Sequence, residues 1–173
     1  MFQGLKSAPA GTALLVSALM IYPAFTAISV DLDGQSMRFD FQFSLKKHTE
    51  EDIHTLLIEK LEKAVRFAHS LMGIYTRVNH FKYRISENVF AASWERDVET
   101  LIEDEMDIVN DLLLDFCEEH AIELEESYMD GDAYYHYERV FDELFHMMQE
   151  MDQELKLRAY RDMGTIYVHR WNS

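Results

Sequence analysis

The chain has 173 residues, a formal net charge of −16 and a pI near 4.7. This charge argues against direct binding to nucleic acid or to an anionic membrane, because both would repel the chain at neutral pH. A single cysteine, Cys117, excludes an intramolecular disulfide and a cysteine-cluster zinc site, and favours a reducing, cytoplasmic compartment.

The length and the apolar content of 48% predict one compact domain over residues 1–173, with no internal repeat or linker. Within it we distinguish four regions. These are a β-hairpin region at 1–48, a helix and a fourth strand at 49–85, the acidic helix and a final helix at 86–160, and a tail at 161–173.

The N-terminal region opens with Thr12 to Val30, nineteen residues without a charge, which is long enough to raise a membrane span or a signal peptide as an alternative. Pro23 interrupts this run, and strict alternation follows it, so we predict a buried strand over Leu14 to Tyr22. An Asp33-Gly34 turn then separates two alternating runs, which predicts a β-hairpin. The alternating residues are Ile28, Val30, Leu32, Met37, Phe39, Phe41, Phe43 and Leu45.

Three helices are predicted after the hairpin. The first begins at Thr49, and a strand within Ile74 to Ile85 follows it. Ser86 caps a segment that leads through Trp94 into the acidic helix, and the final helix covers Ala133 to about Arg158. The predicted fold class is α+β: an N-terminal antiparallel sheet of three to four strands packed with helices, followed by an antiparallel pair of long helices. Thr165 to Trp171 adds a short strand.

The most distinctive stretch is acidic. Between Arg96 and Arg139 the chain has no Lys or Arg and sixteen Asp or Glu, which equals the whole net charge. Apolar residues recur in 3-4 steps from Trp94 to Phe116, which predicts a helix rather than a disordered tail. The carboxylates expected on its outer side are Asp97, Glu99, Glu103, Asp104, Asp107, Asp111, Asp115 and Glu118.

The ten carboxylates from Asp97 to Glu119 would fall about every 3.3 Å along a helix, close to the roughly 3.4 Å per phosphate of one DNA strand. This block is similar in style to the DNA-mimic inhibitors of phages and mobile elements. The resemblance implies a partner with a basic surface, and Trp94, Tyr128, Tyr134 and Tyr135 could supply apolar anchors beside it. A plain solvated helix face is the alternative.

Glu105 breaks the pattern, because it falls near the centre of the apolar stripe of the acidic helix. Lys60 lies on the apolar side of the first helix. We therefore predict a buried ion pair between Glu105 and Lys60, with a catalytic or ligand carboxylate as the alternative.

Two Glu-x-x-His pairs, Glu51/His54 and Glu143/His146, resemble the ligands of di-iron helix bundles. About 0.8 such pairs is expected by chance from this composition, and the helical position of His146 points to solvent, so we predict no metal or other cofactor. The Asp130-Gly131-Asp132 loop does not fit an EF-hand, since Tyr128 and Tyr137 stand where carboxylates are needed.

The predicted function is that of a non-enzymatic acidic binding protein in the cytoplasm. Its acidic helix would dock on the basic surface of a nucleic-acid-binding protein and inhibit or regulate it, without touching nucleic acid or membrane. One alternative is a carboxylate-bridged metal protein using Glu143 and His146. Another is an assembly subunit, including a homo-oligomer, that uses the hairpin edge and the Met-rich final helix.

Overall fold

The computed structural model describes residues 8–45, 50–124, 129–150 and 155–171. The helices are α1 (Ala8–Ile21), α2 (Glu50–Ile53), α3 (Glu59–Met72), α4 (Glu103–Glu119) and α5 (Gly131–Gln149), with a π-helical turn (His54–Ile58) between α2 and α3. The strands are β1 (Ala27–Asp31), β2 (Ser36–Ser44), β3 (Asn79–Ser86), β4 (Val89–Asp97), β5 (Lys156–Asp162) and β6 (Thr165–Arg170). The predicted cap at Thr49 lies outside the described residues.

All six strands form one antiparallel sheet in the order β3-β4-β2-β1-β5-β6. One face carries the apolar alternation of β2 and is covered by helices, as the contact between Phe43 and Phe116 of α4 shows. The other face carries polar residues such as Arg38, Asp40 and Arg158. The fold is therefore a sheet with one helical layer.

The α+β class is confirmed, and so is the hairpin, since β1 pairs with β2 across the Asp33-Gly34 turn. The predicted arrangement is wrong, because the chain does not end in a pair of long helices. The final helix stops at Gln149, and Lys156 to Arg158, which were predicted to end this helix, belong to β5, which pairs with β1. The C-terminal strands thus complete the N-terminal sheet.

The strand predicted over Leu14 to Tyr22 is also wrong, because these residues lie largely in α1. This helix is apolar on all sides because it is buried between the sheet and α5. A Cβ on Gly11 would lie 2.6 Å from Leu157 Cδ1, so glycine allows α1 to approach β5 closely. Among the described residues, no helix has both the length and the apolar character needed to cross a membrane.

The segment after Ser86 is a strand rather than the start of the acidic helix. Phe90, Ala92, Trp94 and Arg96 of β4 alternate inward. The Trp94 ring stacks between Phe39 and Phe81, with centroid distances of 5.0 and 5.8 Å. Trp94 is therefore a core residue and supplies no surface anchor.

Candidate functional site

The acidic helix α4 is shorter than predicted and begins at Glu103. Its buried side packs Met106, Val109, Leu113 and Phe116 into the core. Asn110 is buried as well, and its Oδ1 accepts a hydrogen bond from the Ala24 backbone N–H at 3.2 Å. These contacts hold the opposite side of α4, which is acidic, in a defined orientation.

We define the acidic surface as the exposed carboxylates of α4 from Asp104 to Glu118, together with Glu103 at its edge. Its exposed members are Asp104, Asp107, Asp111, Asp115 and Glu118. Among the described residues, its one ion-pair partner is His146, whose Nδ1 lies 3.8 Å from Glu103 Oε1. No described Lys or Arg forms an ion pair with this surface, and the nearest basic residues shown beside α4 are Lys60 and Lys63, which line a pocket with Glu119.

Helix α5 adds carboxylates along one edge of the acidic surface. Burial, the charge of Asp142 and a hydrogen bond with that residue raise the pKa of Glu103. Burial also raises the pKa of Asp107, against a hydrogen bond from Tyr22 that lowers it, and the carboxylates Asp111, Asp104 and Asp142 raise it further. Carboxylates of α4 and α5 thus lie close enough to repel one another.

Two exposed tyrosines stand beside these carboxylates. Tyr134 and Tyr135 pack edge to face at a centroid distance of 6.1 Å near the start of α5. Burial, followed by the charges of Glu138, Asp107, Asp111 and Asp142, raises the pKa of Tyr134. These two rings are the predicted anchors that lie next to the acidic surface, whereas Tyr128 is outside the described residues.

Two predicted members of the surface take other positions. Asp97 ends β4 and is buried, where its Oδ1 accepts hydrogen bonds from the backbone N–H groups of Arg77 and Val78 at 3.2 and 3.1 Å. Although burial raises the pKa of Asp97, hydrogen bonds from Thr100 and Val78 and the charge of Arg96 lower it overall. Glu99 precedes α4 and forms an exposed ion pair with Arg77. Asp97 is therefore a structural residue.

Glu105 is fully buried, and its partner is Arg96 rather than Lys60. Arg96 Nε donates to Glu105 Oε2 at 2.7 Å, and Nη2 donates to Oε1 at 3.0 Å. His69 Nε2 of α3 lies 3.1 Å from Glu105 Oε1. Lys60 is exposed on the outer side of α3, because the long, flexible ammonium group reaches water more easily than the core.

The remaining donors of Arg96 are also satisfied. Nη1 donates to Asp97 Oδ1 at 2.6 Å and to the Val78 carbonyl at 2.9 Å, and Nη2 also reaches the Thr100 carbonyl at 3.1 Å. A buried guanidinium is tolerated when all five N–H groups have acceptors. This network connects the end of β4 to the start of α4, and it fixes where the acidic surface begins.

The metal alternative requires a cluster of ligands. Among the described residues, no group of three or more His, Cys, Asp or Glu side chains could hold a metal ion. Glu143 is exposed, and His146 Nδ1 forms a hydrogen bond of 3.0 Å with the Asp142 carbonyl oxygen. His54 Nδ1 lies 3.6 Å from Glu59 Oε1, and the side chain of Glu51 is outside the described part of the structure. Asp130 caps α5 by accepting from the Ala133 N–H at 2.8 Å.

Cys117 does not have the environment of a nucleophile. It is buried on the inner side of α4, and burial raises the pKa of its thiol to about 11. The thiolate, which is the reactive form, is therefore scarce at neutral pH.

Comparison with known proteins gives no family. No protein-family model matches the chain, and neither the curated proteins nor the solved structures contain a match.

Proposed function

We propose that this chain is a non-enzymatic binding protein whose acidic surface docks on the basic surface of a nucleic-acid-binding partner. The observation that carries the proposal is the row of exposed carboxylates on α4, which has no Lys or Arg partner among the described residues. Such a row would steer a basic partner toward α4 and compete with phosphates for the same Lys and Arg side chains. Through this competition, the protein would inhibit or regulate its partner in the cytoplasm.

The spacing of the row is looser than the sequence predicts. Asp97, Glu99 and Glu105 do not belong to it. The five exposed carboxylates from Asp104 to Glu118 span fifteen residues, or about 21 Å of helix, at roughly one per 5 Å. Glu138 and Asp142 of α5 lie close enough to Tyr134 to raise its pKa, as Asp107 and Asp111 also do. They therefore widen the row of carboxylates at one end. We propose that this pair of acidic helix edges, rather than α4 alone, meets the partner.

A matched pair of triple variants tests the proposal. The helix variant carries Asp111→Asn, Asp115→Asn and Glu118→Gln, which neutralise exposed side chains of α4. The turn variant carries Asp33→Asn, Glu87→Gln and Asp162→Asn, which remove the same charge at exposed positions in or beside the three β-hairpin turns. Circular dichroism is the control that tests whether both variants fold.

Affinity capture from a cell lysate compares the wild type with the two variants. We expect the wild type and the turn variant to capture the same nucleic-acid-binding protein and added DNA to displace it. The helix variant should not capture it. If all three proteins capture the same set, the acidic surface is a solvated face and the proposal is wrong.

A further inference from the structure

A second, unrelated surface stands out on the outer side of α3. Phe67, Leu71 and Tyr75 expose 66, 69 and 91% of their surface. Leu56 and Met72 are each 46% exposed, so five of the ten exposed large hydrophobic residues in the described part of the chain lie on α3 or within three residues of it. We call these five residues the α3 ridge.

The core side of α3 does not explain this ridge. Leu61, Val65 and Ala68 are buried against the fold, whereas Phe67 and Leu71 follow Val65 by two and six residues and so point about 200° and 240° around the helix from it. Large apolar side chains have about 150–250 Å² of surface. At these exposures the five side chains together leave on the order of 600 Å² open. Met72 lies about 140° around the helix from Phe67, so the continuous patch is smaller than this total. Apolar patches of about 300–600 Å² are the largest on a typical monomer and are often functional.

Basic residues lie within the ridge. Lys60, Lys63 and Arg66 are three of the four Lys or Arg residues in the described helices. Lys63 Nζ is 3.3 Å from Glu59, and Arg66 Nε donates to the backbone carbonyl of Glu62 at 3.3 Å. With Glu59 and Glu62 counted, this helix face has a net charge of +1 in a chain of −16.

We propose that the α3 ridge docks an amphipathic helix of a partner protein, with acidic residues beside its apolar stripe. Leu56, Lys60, Lys63, Phe67 and Leu71 follow 4-3-4-4 steps, which is the spacing of a seam between two packed helices. Acidic residues on the incoming helix would contact Lys60 and Lys63. A second copy of this chain fits less well, because an antiparallel pairing of two ridges that sets Leu56 against Phe67 also sets Lys60 against Lys63.

The α3 ridge borders the C-terminal end of α4, where Lys60 and Lys63 line a pocket with Glu119. It nevertheless accepts a partner opposite in charge to that of the acidic surface. Docking of an acidic helix on the ridge does not depend on the proposed function, whereas a role as an adaptor that joins a basic protein to an acidic helix rests on it.

The test uses two designed peptides and the full chain labelled with ¹⁵N. One peptide is a monomeric amphipathic helix with leucines in 3-4 steps and glutamates beside them. The other has lysine in place of each glutamate. We expect the glutamate peptide to shift amide resonances of α3. The lysine peptide should bind α3 at least tenfold more weakly, and its shifts should fall on α4, whose carboxylates attract it.

Three double variants complete the design. Phe67→Ser with Leu71→Ser should weaken binding of the glutamate peptide at least tenfold. Met163→Ser with Tyr167→Ser removes two exposed apolar side chains elsewhere and should leave it unchanged. Lys60→Glu with Lys63→Glu should reverse the preference between the peptides.

The inference is overturned if the glutamate peptide does not bind, if both peptides bind α3 equally, or if the shifts that the glutamate peptide causes fall outside α3. Sedimentation of the chain alone identifies the other occupant. A dimer that Phe67→Ser with Leu71→Ser dissociates would show that the ridge is a self-association surface, which also overturns the inference.

Discussion

Arg96 and Glu105 form a two-point ion pair with both side chains fully buried, at 2.7 Å from Nε to Oε2 and 3.0 Å from Nη2 to Oε1. The pair connects the last inward position of β4 to the first turn of α4. Because Asp97 and the carbonyls of Val78 and Thr100 take up the other donors, removal of either charge leaves several polar groups without partners.

Substitution of Arg96 should therefore be severe. We expect Arg96→Met to lower the free energy of unfolding by about 3–5 kcal/mol, because Glu105 and Asp97 would keep buried negative charges without a cation. Urea unfolding followed by circular dichroism measures this loss. Arg77→Met is the control, since the Arg77–Glu99 pair is exposed and should cost less than about 1 kcal/mol. Equal losses for the two variants would contradict the structural role of Arg96.

The Gln149 side chain connects the end of α5 to the loop before α4. Gln149 Nε2 donates to the carbonyls of Val98 and Leu101 at 3.0 and 2.7 Å, which ties α5 to the loop before α4. Gln149→Ala should lower the free energy of unfolding by about 1–3 kcal/mol, because two partly buried carbonyls lose their donor. Gln42→Ala on the open sheet face is the control and should change it by less than about 0.5 kcal/mol. Denaturant titration decides between these values.

Repulsion among the carboxylates of the acidic surface should lower the free energy of unfolding. The helix variant removes the like-charge pairs Asp107/Asp111, Asp111/Asp115 and Asp115/Glu118, each worth roughly 0.2–0.5 kcal/mol. It also removes negative charge near the C-terminal end of α4, where the helix dipole disfavours it. We expect a gain of about 1 kcal/mol over the turn variant in low salt. Urea titrations at about 0.02 and 0.5 M NaCl should show the gain shrinking as salt screens the repulsion. No gain in low salt would mean that the carboxylates do not repel one another.

Stability should pass through a maximum at mildly acidic pH. Glu103 and Asp107 have raised pKa values, so the folded state binds their protons more tightly than the unfolded state does. Stability should then rise as the pH falls from 7 toward their ordinary pKa values of 4.5 and 3.8. Asp97 has the opposite effect on the pH dependence of stability. Because its pKa is lowered in the folded state, its carboxylate stabilises the fold at neutral pH, and this stabilisation is lost as the pH falls below about 3.8.

Thermal unfolding between pH 7 and pH 3 measures this profile. The variant Glu103→Gln with Asp107→Asn should lose the rise between pH 7 and pH 5 and keep the fall below pH 4. A wild-type melting temperature that only decreases from pH 7 downward would contradict the assignment of these pKa directions.

The sequence predicted the parts of the fold that have local signals. The hairpin follows from strict alternation and an Asp-Gly turn, and the apolar stripe after Ile108 marks the body of α4. The helix α1 was not predictable in the same way, because an apolar run buried on all sides has no period that separates a helix from a strand. Strand β5 depends on pairing with β1, which is distant in sequence, so its charged residues were assigned to the final helix.

The sequence predicted one member of the buried pair. Glu105 is recognisable as an acidic residue on an apolar stripe, but the predicted partner was Lys60 on another helix. Arg96 is the inward residue of a strand, and a buried arginine breaks the apolar alternation by which a strand is recognised. For the same reason β4 was assigned to the helix, and Asp97 and Glu99 were placed on the acidic surface. Whether a carboxylate faces a partner or the core depends on where the strand ends.

The most direct measurement is the salt dependence of the affinity between this protein and the captured partner, for the wild type, the helix variant and the turn variant. We predict that the helix variant binds the partner at least tenfold more weakly than the wild type in low salt, a loss of about 1.4 kcal/mol. We also predict that its affinity declines less steeply with salt than the affinities of the wild type and the turn variant. Equal affinities and equal salt dependence for the two variants would show that the carboxylates of α4 are not the docking surface.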